Sequence, residues 1–215
     1  MAGSSRVPVL FEEPVSIEEL QLAGGELTLI HNWLGEHQAL DLFDRLRQSL
    51  QWEQSHIRLY GRGVSIPRLN AWYADAACEY RYSGYQMPRH DWSEELLMLR
   101  EKLQLATGLS FNSVLANLYR DGNDSVGWHS DDEPELGHNP VIASISLGEV
   151  RRFCLRHKRN QEIADIELMP GSGSLLIMAG STQHNWKHCL PKTRKSTSAR
   201  INLTFRRVLC DAQRE

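Results

Sequence analysis

The stretch Ala199-Arg200-Ile201-Asn202-Leu203-Thr204-Phe205-Arg206 reads as a β-strand with two unlike faces. Successive side chains of a strand point to opposite sides, so Ile201, Leu203 and Phe205 share one face and Arg200, Asn202, Thr204 and Arg206 share the other. A polar strand face is ordinarily a solvated one, but this face holds two arginines and no acid. Guanidinium forks at fixed positions suit bidentate capture of a carboxylate. Residues Asn112 to Tyr119 repeat the theme: Leu115, Asn117 and Tyr119 fall on a common side, where an amide and a phenol add hydrogen bonds for an oxyanion.

Outward from these two strands the texture is the same as far back as Gly108. Val141 to Leu147, Arg151 to His157, Ile163 to Leu168 and Ser174 to Met178 also read as strands. Asp121-Gly122-Asn123, Gly148-Glu149 and Pro170-Gly171-Ser172-Gly173 supply turns between them. Before Gly108 the chain is helical in pattern. One helix is expected from Glu36 to Leu50, with Leu40, Phe43, Leu46 and Leu50 at spacings of three and four. A second starts after Ser93, a good N-cap followed by Glu94 and Glu95, and runs through Leu96, Leu99 and Leu103 to a stop at Gly108. Two helices followed by antiparallel strands predict an α+β fold, a β-sandwich with a jelly-roll core and helices packed on one sheet. Residues 1–25, with Ser4, Ser5, Pro8, Pro14 and the Gly24-Gly25 break, read as a loosely organised N-terminal extension, leaving 26–215 as the single domain.

Composition sets bounds rather than a function. The 215 residues are 41% hydrophobic and 24% charged, an ordinary globular balance, and 24 Lys and Arg against 27 Asp and Glu leave a net charge of -3. Global charge therefore gives no sign of a nucleic-acid partner, and only local clusters can. Arg151, Arg152, Arg156, Lys158 and Arg159 form one, and Lys192, Arg194 and Lys195 another. Cys78, Cys154, Cys189 and Cys210 are scattered without a C-x-x-C pair, which points to reduced thiols rather than a disulfide scaffold or a zinc site. The short apolar run from Val7 stops at Glu12, and the best apolar run, Leu175 to Ala179, is strand-sized. The expectation is a soluble monomer of the cytoplasm, or of the nucleus in a eukaryote.

The chemistry starts at Trp128-His129-Ser130-Asp131-Asp132-Glu133. In an extended segment residues two apart point the same way, so His129 and Asp131 can converge and supply two-thirds of a 2-His-1-carboxylate iron site. The third ligand must come from another strand. His138 sits in a Gly-His-Asn-Pro turn and His157 among basic residues, settings that do not suit a cation, which leaves His184 and His188. Spacing does not choose between them. A metal triad beside a carboxylate clamp is the layout of an iron(II) oxygenase with an oxo-acid cosubstrate.

From Gly61 to Val208 the sequence resembles the AlkB-type dioxygenases dependent on iron(II) and 2-oxoglutarate, in their DNA-repair branch. The resemblance is carried by Asn117-x-Tyr119, His129-x-Asp131, His188, Arg200 and Arg206. Flanking words match as well: Pro67-Arg68, Tyr80-Arg81-Tyr82-Ser83-Gly84, Gly173-Ser174-Leu175-Leu176, His188-Cys189-Leu190-Pro191 and Asn202-Leu203-Thr204-Phe205-Arg206. It implies a double-stranded β-helix core and selects His188 as third ligand, so that His129, Asp131 and His188 hold iron(II) and carry catalysis. It implies that Asn117, Tyr119, Arg200, Thr204 and Arg206 hold 2-oxoglutarate, with Arg200 on the distal carboxylate, and that dioxygen is the second cosubstrate. The implied reaction is oxidative dealkylation of bases such as 1-methyladenine and 3-methylcytosine in DNA, with RNA, protein or a small molecule as the alternative target. A non-catalytic nucleic-acid-binding jelly roll is disfavoured by the intact triad and both arginines.

An alkylated base must leave the stack to reach a buried metal. The resemblance places Tyr80 and Tyr82 at the base, with Arg68, Ser83, Asp132 and Glu133 nearby. Leu59, Tyr60 and Arg62, in Leu59-Tyr60-Gly61-Arg62-Gly63, stand where close relatives carry a duplex-invading wedge, but with different residues. Arg156, Lys158, Lys192, Arg194 and Lys195 read as phosphate contacts. Trp128, bulkier than the family pattern, is expected to narrow the entrance.

Overall fold

The computed structural model describes residues 13–59, 62–78, 81–82, 85–195 and 197–209. Its strands are β1 (Ser16–Leu22), β2 (Gly25–His31), β3 (His56–Leu59), β4 (Arg62–Ser65), β5 (Leu69–Ala74), β6 (Arg81–Tyr82), β7 (Tyr85–Gln86) and β8 (Arg89–His90). They continue with β9 (Ser113–Tyr119), β10 (Val126–His129), β11 (Ile142–Gly148), β12 (Phe153–His157), β13 (Ile166–Leu168), β14 (Leu175–Ala179), β15 (Trp186–Leu190) and β16 (Arg200–Arg206). The helices are α1 (Glu36–Ser49), α2 (Glu94–Thr107) and the single turn α3 (Thr182–Asn185).

Eight strands form one sheet in the order β1-β2-β14-β11-β16-β9-β5-β8, antiparallel except for the β5–β8 pair. A four-stranded sheet, β10-β15-β12-β13, faces it, and β3–β4 and β6–β7 are separate hairpins. The two-residue period of the long strands sorts their side chains between two environments. On the outer face Ala143, Ile145 and Leu147 of β11 and Ile201, Leu203 and Phe205 of β16 pack under Leu42 and Leu46 of α1 and Leu96, Leu99 and Leu103 of α2. The opposite face, with Leu115, Leu176 and Met178, meets Phe153, Leu155 and Trp186 of the smaller sheet. The α+β sandwich with helices on one sheet is thus as expected, and the polar residues of β9 and β16 point between the sheets.

The second helix follows its sequence signals. Ser93 Oγ accepts from Leu96 N–H at 3.4 Å, and Gly108 takes the left-handed conformation with φ 71° that closes the helix. The first helix is in place but rotated. Its buried stripe is Ala39, Leu42 and Leu46, whereas Leu40 is 60% exposed. The presumed extension also differs: residues 16–25 form β1 and its turn, registered along the whole of β2 as the edge of the large sheet. Strand β1 escapes notice in the sequence because nearly all its side chains are exposed and only Leu22 is buried. Among the described residues no helix is long and apolar enough to cross a membrane.

Candidate active site

Strand pairing brings the ligands together. His129, the last residue of β10, is registered opposite His188 of β15, and their rings lie 4.3 Å apart. Asp131, two residues past the end of β10, folds back beside them, so that one ligating atom from each of the three lies within 4.8 Å of the others. His129 Nδ1 stands 2.9 Å from the Gly127 carbonyl. That contact assigns the proton to Nδ1 and leaves Nε2 as the free donor atom, the usual arrangement of a ligating histidine. His184 sits apart on α3, exposed, with its ring against His138.

The charge states are those a cation needs. Burial, with His129 adjacent, depresses His188 to about 3, so it is neutral at physiological pH. Burial pulls Asp131 upward, but Arg206 and the two histidines outweigh it and hold the carboxylate at about 2. Arg206 Nη2 donates to Asp131 Oδ2 at 2.9 Å, with both groups buried. The other oxygen, Asp131 Oδ1, is buried without a hydrogen-bond partner and lies 3.9 Å from His129 Nε2. A buried carboxylate oxygen left unsatisfied beside two neutral imidazoles is what a divalent ion completes.

Arg200 is the second unsatisfied group. It is 2% exposed, its Nη2 donates to Ser146 Oγ at 2.9 Å, its Nε has no partner, and its guanidinium lies over the Tyr119 ring. No acid pairs with it among the described residues. Burial lowers it to about 10, so it remains charged at neutral pH. An unpaired buried guanidinium is costly unless a carboxylate arrives to meet it. Arg200 lines the same cavity as the three ligands, together with Asn117, Tyr119, Thr204, Arg206 and Arg68. All eight residues expected for metal and cosubstrate therefore converge, but the two arginines differ: Arg206 is engaged with a metal ligand and Arg200 with no acid.

The expected substrate residues fare less uniformly. Tyr60, Tyr80 and Ser83 lie outside the described residues, and Leu59, Arg62 and Tyr82 are placed by backbone alone, in β3, β4 and β6. Arg68 is buried, and its Nε donates to Asn117 Oδ1 at 2.7 Å, which makes it part of the cavity wall. Asp132 and Glu133 line a separate surface cleft with Trp128. Trp128 faces that cleft and does not line the metal cavity, so it does not narrow the entrance as expected.

The first basic cluster is largely paired within the protein. Arg151 is buried and donates to the Asp121, Asp124 and Pro191 carbonyls. Arg156 forks onto Asp165, Arg152 pairs with Glu167, and Lys158 bridges Asp132 and the Gln183 carbonyl. Arg156 and Lys158 are thus committed within the protein rather than held out as free phosphate contacts, because their acidic partners come from the adjoining β13 edge and the ligand loop. Lys192, Arg194 and Lys195 remain exposed, with no ion pair to a described residue.

Gln183 was invisible in the sequence. It is buried in the single turn α3, and its Oε1 accepts from Asp131 N–H at 2.9 Å, while Ser130 Oγ donates to the Trp186 carbonyl. These bonds fasten the Asp131 loop to the segment leading into His188. Only folding shows that this glutamine meets that loop. Gln183→Leu, which removes the acceptor, should weaken binding of a divalent probe such as cobalt(II) by about 10- to 100-fold, the usual effect of losing an outer-shell partner. Unchanged cobalt affinity by titration calorimetry would show that the loop holds without it.

The family profile of the 2OG-Fe(II) oxygenase superfamily matches residues 26–206. The chain belongs to that superfamily. Within it the chain is of AlkB type: it is 42% identical over 182 residues to the Alpha-ketoglutarate-dependent dioxygenase alkB homolog 3 of Bos taurus, covering 81% of this chain and 63% of that one. It is 36% identical over 186 residues to the DNA oxidative demethylase ALKBH2 of Mus musculus, covering 81% of this chain and 77% of that one. The chain thus spans a little under two-thirds of the length of the alkB homolog 3 relative. The solved structure of OsALKBH1 shares the fold with a TM-score of 0.61 at 17% identity, covering 88% of this chain and 100% of that one. The jelly-roll core follows from this likeness, and iron(II), 2-oxoglutarate and dioxygen are the requirements of a 2OG-Fe(II) oxygenase, which the His129, Asp131 and His188 cluster fits.

Proposed function

We propose that this chain oxidatively demethylates N-alkylated bases such as 1-methyladenine and 3-methylcytosine in DNA, consuming 2-oxoglutarate and dioxygen and releasing succinate, CO2 and formaldehyde. The observation that carries the proposal is one cavity holding both a buried 2-His-1-carboxylate cluster and a buried arginine with no acid to pair with among the described residues. The likeness to a DNA oxidative demethylase supports the substrate class.

His129 Nε2, Asp131 Oδ1 and His188 would hold iron(II), the donor set of a 2-His-1-carboxylate site. Iron with its cosubstrates supplies the oxidising power that inserts one oxygen atom into a C–H bond of the N-methyl group. Arg206 neutralises Asp131 Oδ2 and keeps the carboxylate ionised. Arg200 receives the distal carboxylate of 2-oxoglutarate, with Thr204 and Asn117 lining its approach and Tyr119 beneath the guanidinium. The N-hydroxymethyl base then loses formaldehyde and regains its N–H or ring nitrogen, so atoms balance with the second oxygen in succinate. Lys192, Arg194 and Lys195, on a loop anchored by the Thr193 N–H to Gly122 carbonyl bond of 2.9 Å, meet the phosphates.

The test is mass spectrometry of a 3-methylcytosine oligonucleotide after incubation with iron(II), 2-oxoglutarate and ascorbate, as single-stranded DNA, duplex DNA and RNA. Loss of the methyl mass from a DNA strand, dependent on 2-oxoglutarate, is expected. Intact methylated strands in all three forms would overturn the proposal, and demethylation of RNA alone would reassign its substrate.

A further inference from the structure

The surface cleft beside the reaction cavity has no role in the chemistry above. It is lined by Trp128, Ser130, Asp132, Glu133, Lys158 and Lys187, and it shares His129 with the cavity. Trp128 is 39% exposed although it directly precedes a metal ligand. Its neighbour Gly127 has nothing within 4 Å of where a Cβ would stand, so the surface beside the indole is open.

The indole is also held in one orientation. The Arg156 guanidinium lies 4.4 Å from its ring centroid, in cation–π contact. Arg156 is in turn fixed by both Asp165 oxygens, at 3.0 Å and 3.1 Å from Nε and 2.6 Å from Nη2. Lys187 is registered opposite Arg156 across β12 and β15, exposed and without an ion pair to a described residue. Asp132 is neutralised by Lys158 at 2.8 Å. The cleft therefore offers a supported aromatic face and a lysine without an ion pair to a described residue, with Asp132 and Glu133 set against Lys158 and Lys187, beside the metal cavity.

We propose that Trp128 is a stacking platform for the base next to the alkylated one on a single strand, with Lys187 at the phosphate that joins them. The inference rests on the nucleic-acid reading given above. An unpaired base stacks on an aromatic side chain whatever its sequence, and a cation beside it tracks the backbone. Arg156 is then the support of the platform, not a phosphate contact.

The experiment measures anisotropy of labelled single strands bound to the cobalt(II)-loaded protein, each carrying 3-methylcytosine and either normal neighbours or an abasic neighbour on one side. Trp128→Ala should weaken binding of the normal strand by about 5- to 100-fold, the loss of one base–aromatic stack. The same variant should bind the strand that is abasic on the platform side as wild type does, and Trp128→Phe should recover much of the loss. Arg156→Met should leave the salt dependence of binding unchanged, whereas a phosphate contact would lower its slope by about one. Equal affinity of wild type and Trp128→Ala for the normal strand overturns the platform alone. An equal loss on normal and abasic strands also overturns it, since the indole would then act by packing. Failure of the wild-type protein to bind any of these strands overturns the nucleic-acid reading together with the platform.

Discussion

His188→Ala should remove iron binding and turnover together, while His184→Ala leaves most of both. The two histidines lie four residues apart, yet β15 sends one into the cavity opposite His129 and α3 leaves the other exposed against His138. Losing one of three protein ligands should lower metal affinity by more than about 100-fold, beyond the effect of losing an outer-shell partner. The loss should appear in cobalt(II) titration before any assay of turnover, and thermal unfolding checks that the variant is folded. Full metal affinity in His188→Ala, or its loss in His184→Ala, would move the third ligand to α3.

Arg200→Lys should weaken 2-oxoglutarate binding by about 10- to 100-fold, in keeping with a charged hydrogen bond worth roughly 1.5–3 kcal/mol. Lysine keeps the charge but loses the planar fork, the stack on Tyr119 and the bond to Ser146 Oγ, so the change is not conservative. Arg206→Lys should act differently. Its guanidinium already serves Asp131, so that variant should lower cobalt(II) affinity as well as cosubstrate affinity. Calorimetric titration of 2-oxoglutarate into the cobalt-loaded variants, without oxygen, separates the two. Undiminished 2-oxoglutarate affinity in Arg200→Lys would remove Arg200 from the distal carboxylate.

That Arg200 and Arg206 share the inward face of β16 was legible from alternation, because one face of that strand packs in the apolar core and the other lines a polar cavity. Their division of labour was not. It depends on Asp131, which lies 75 positions from Arg206 along the chain and reaches it only by folding back past the end of β10. Helix α2 was legible to its caps, since Ser93 and Gly108 act on local backbone. Helix α1 sits a fraction of a turn from its leucine spacing: Ala39 is buried, and Leu40 is left outside. Strand β1 offered no hydrophobic alternation because it is an edge strand with a solvated surface, and β5, buried along nearly its whole length, offered none for the opposite reason. The basic cluster of 151–159 showed its sign but not its partners, for Asp165 and Glu167 come from the next hairpin strand and its approach.

The proposed function couples the oxidation of 2-oxoglutarate to the removal of a methyl group from a base. The measurement that tests it most directly is the ratio of succinate formed to cytosine restored, with and without a single-stranded 3-methylcytosine oligonucleotide. Slow succinate release alone, a marked acceleration when the oligonucleotide is added, and close to one succinate per base restored are expected. Succinate release that the oligonucleotide does not accelerate, with no cytosine restored, would contradict it.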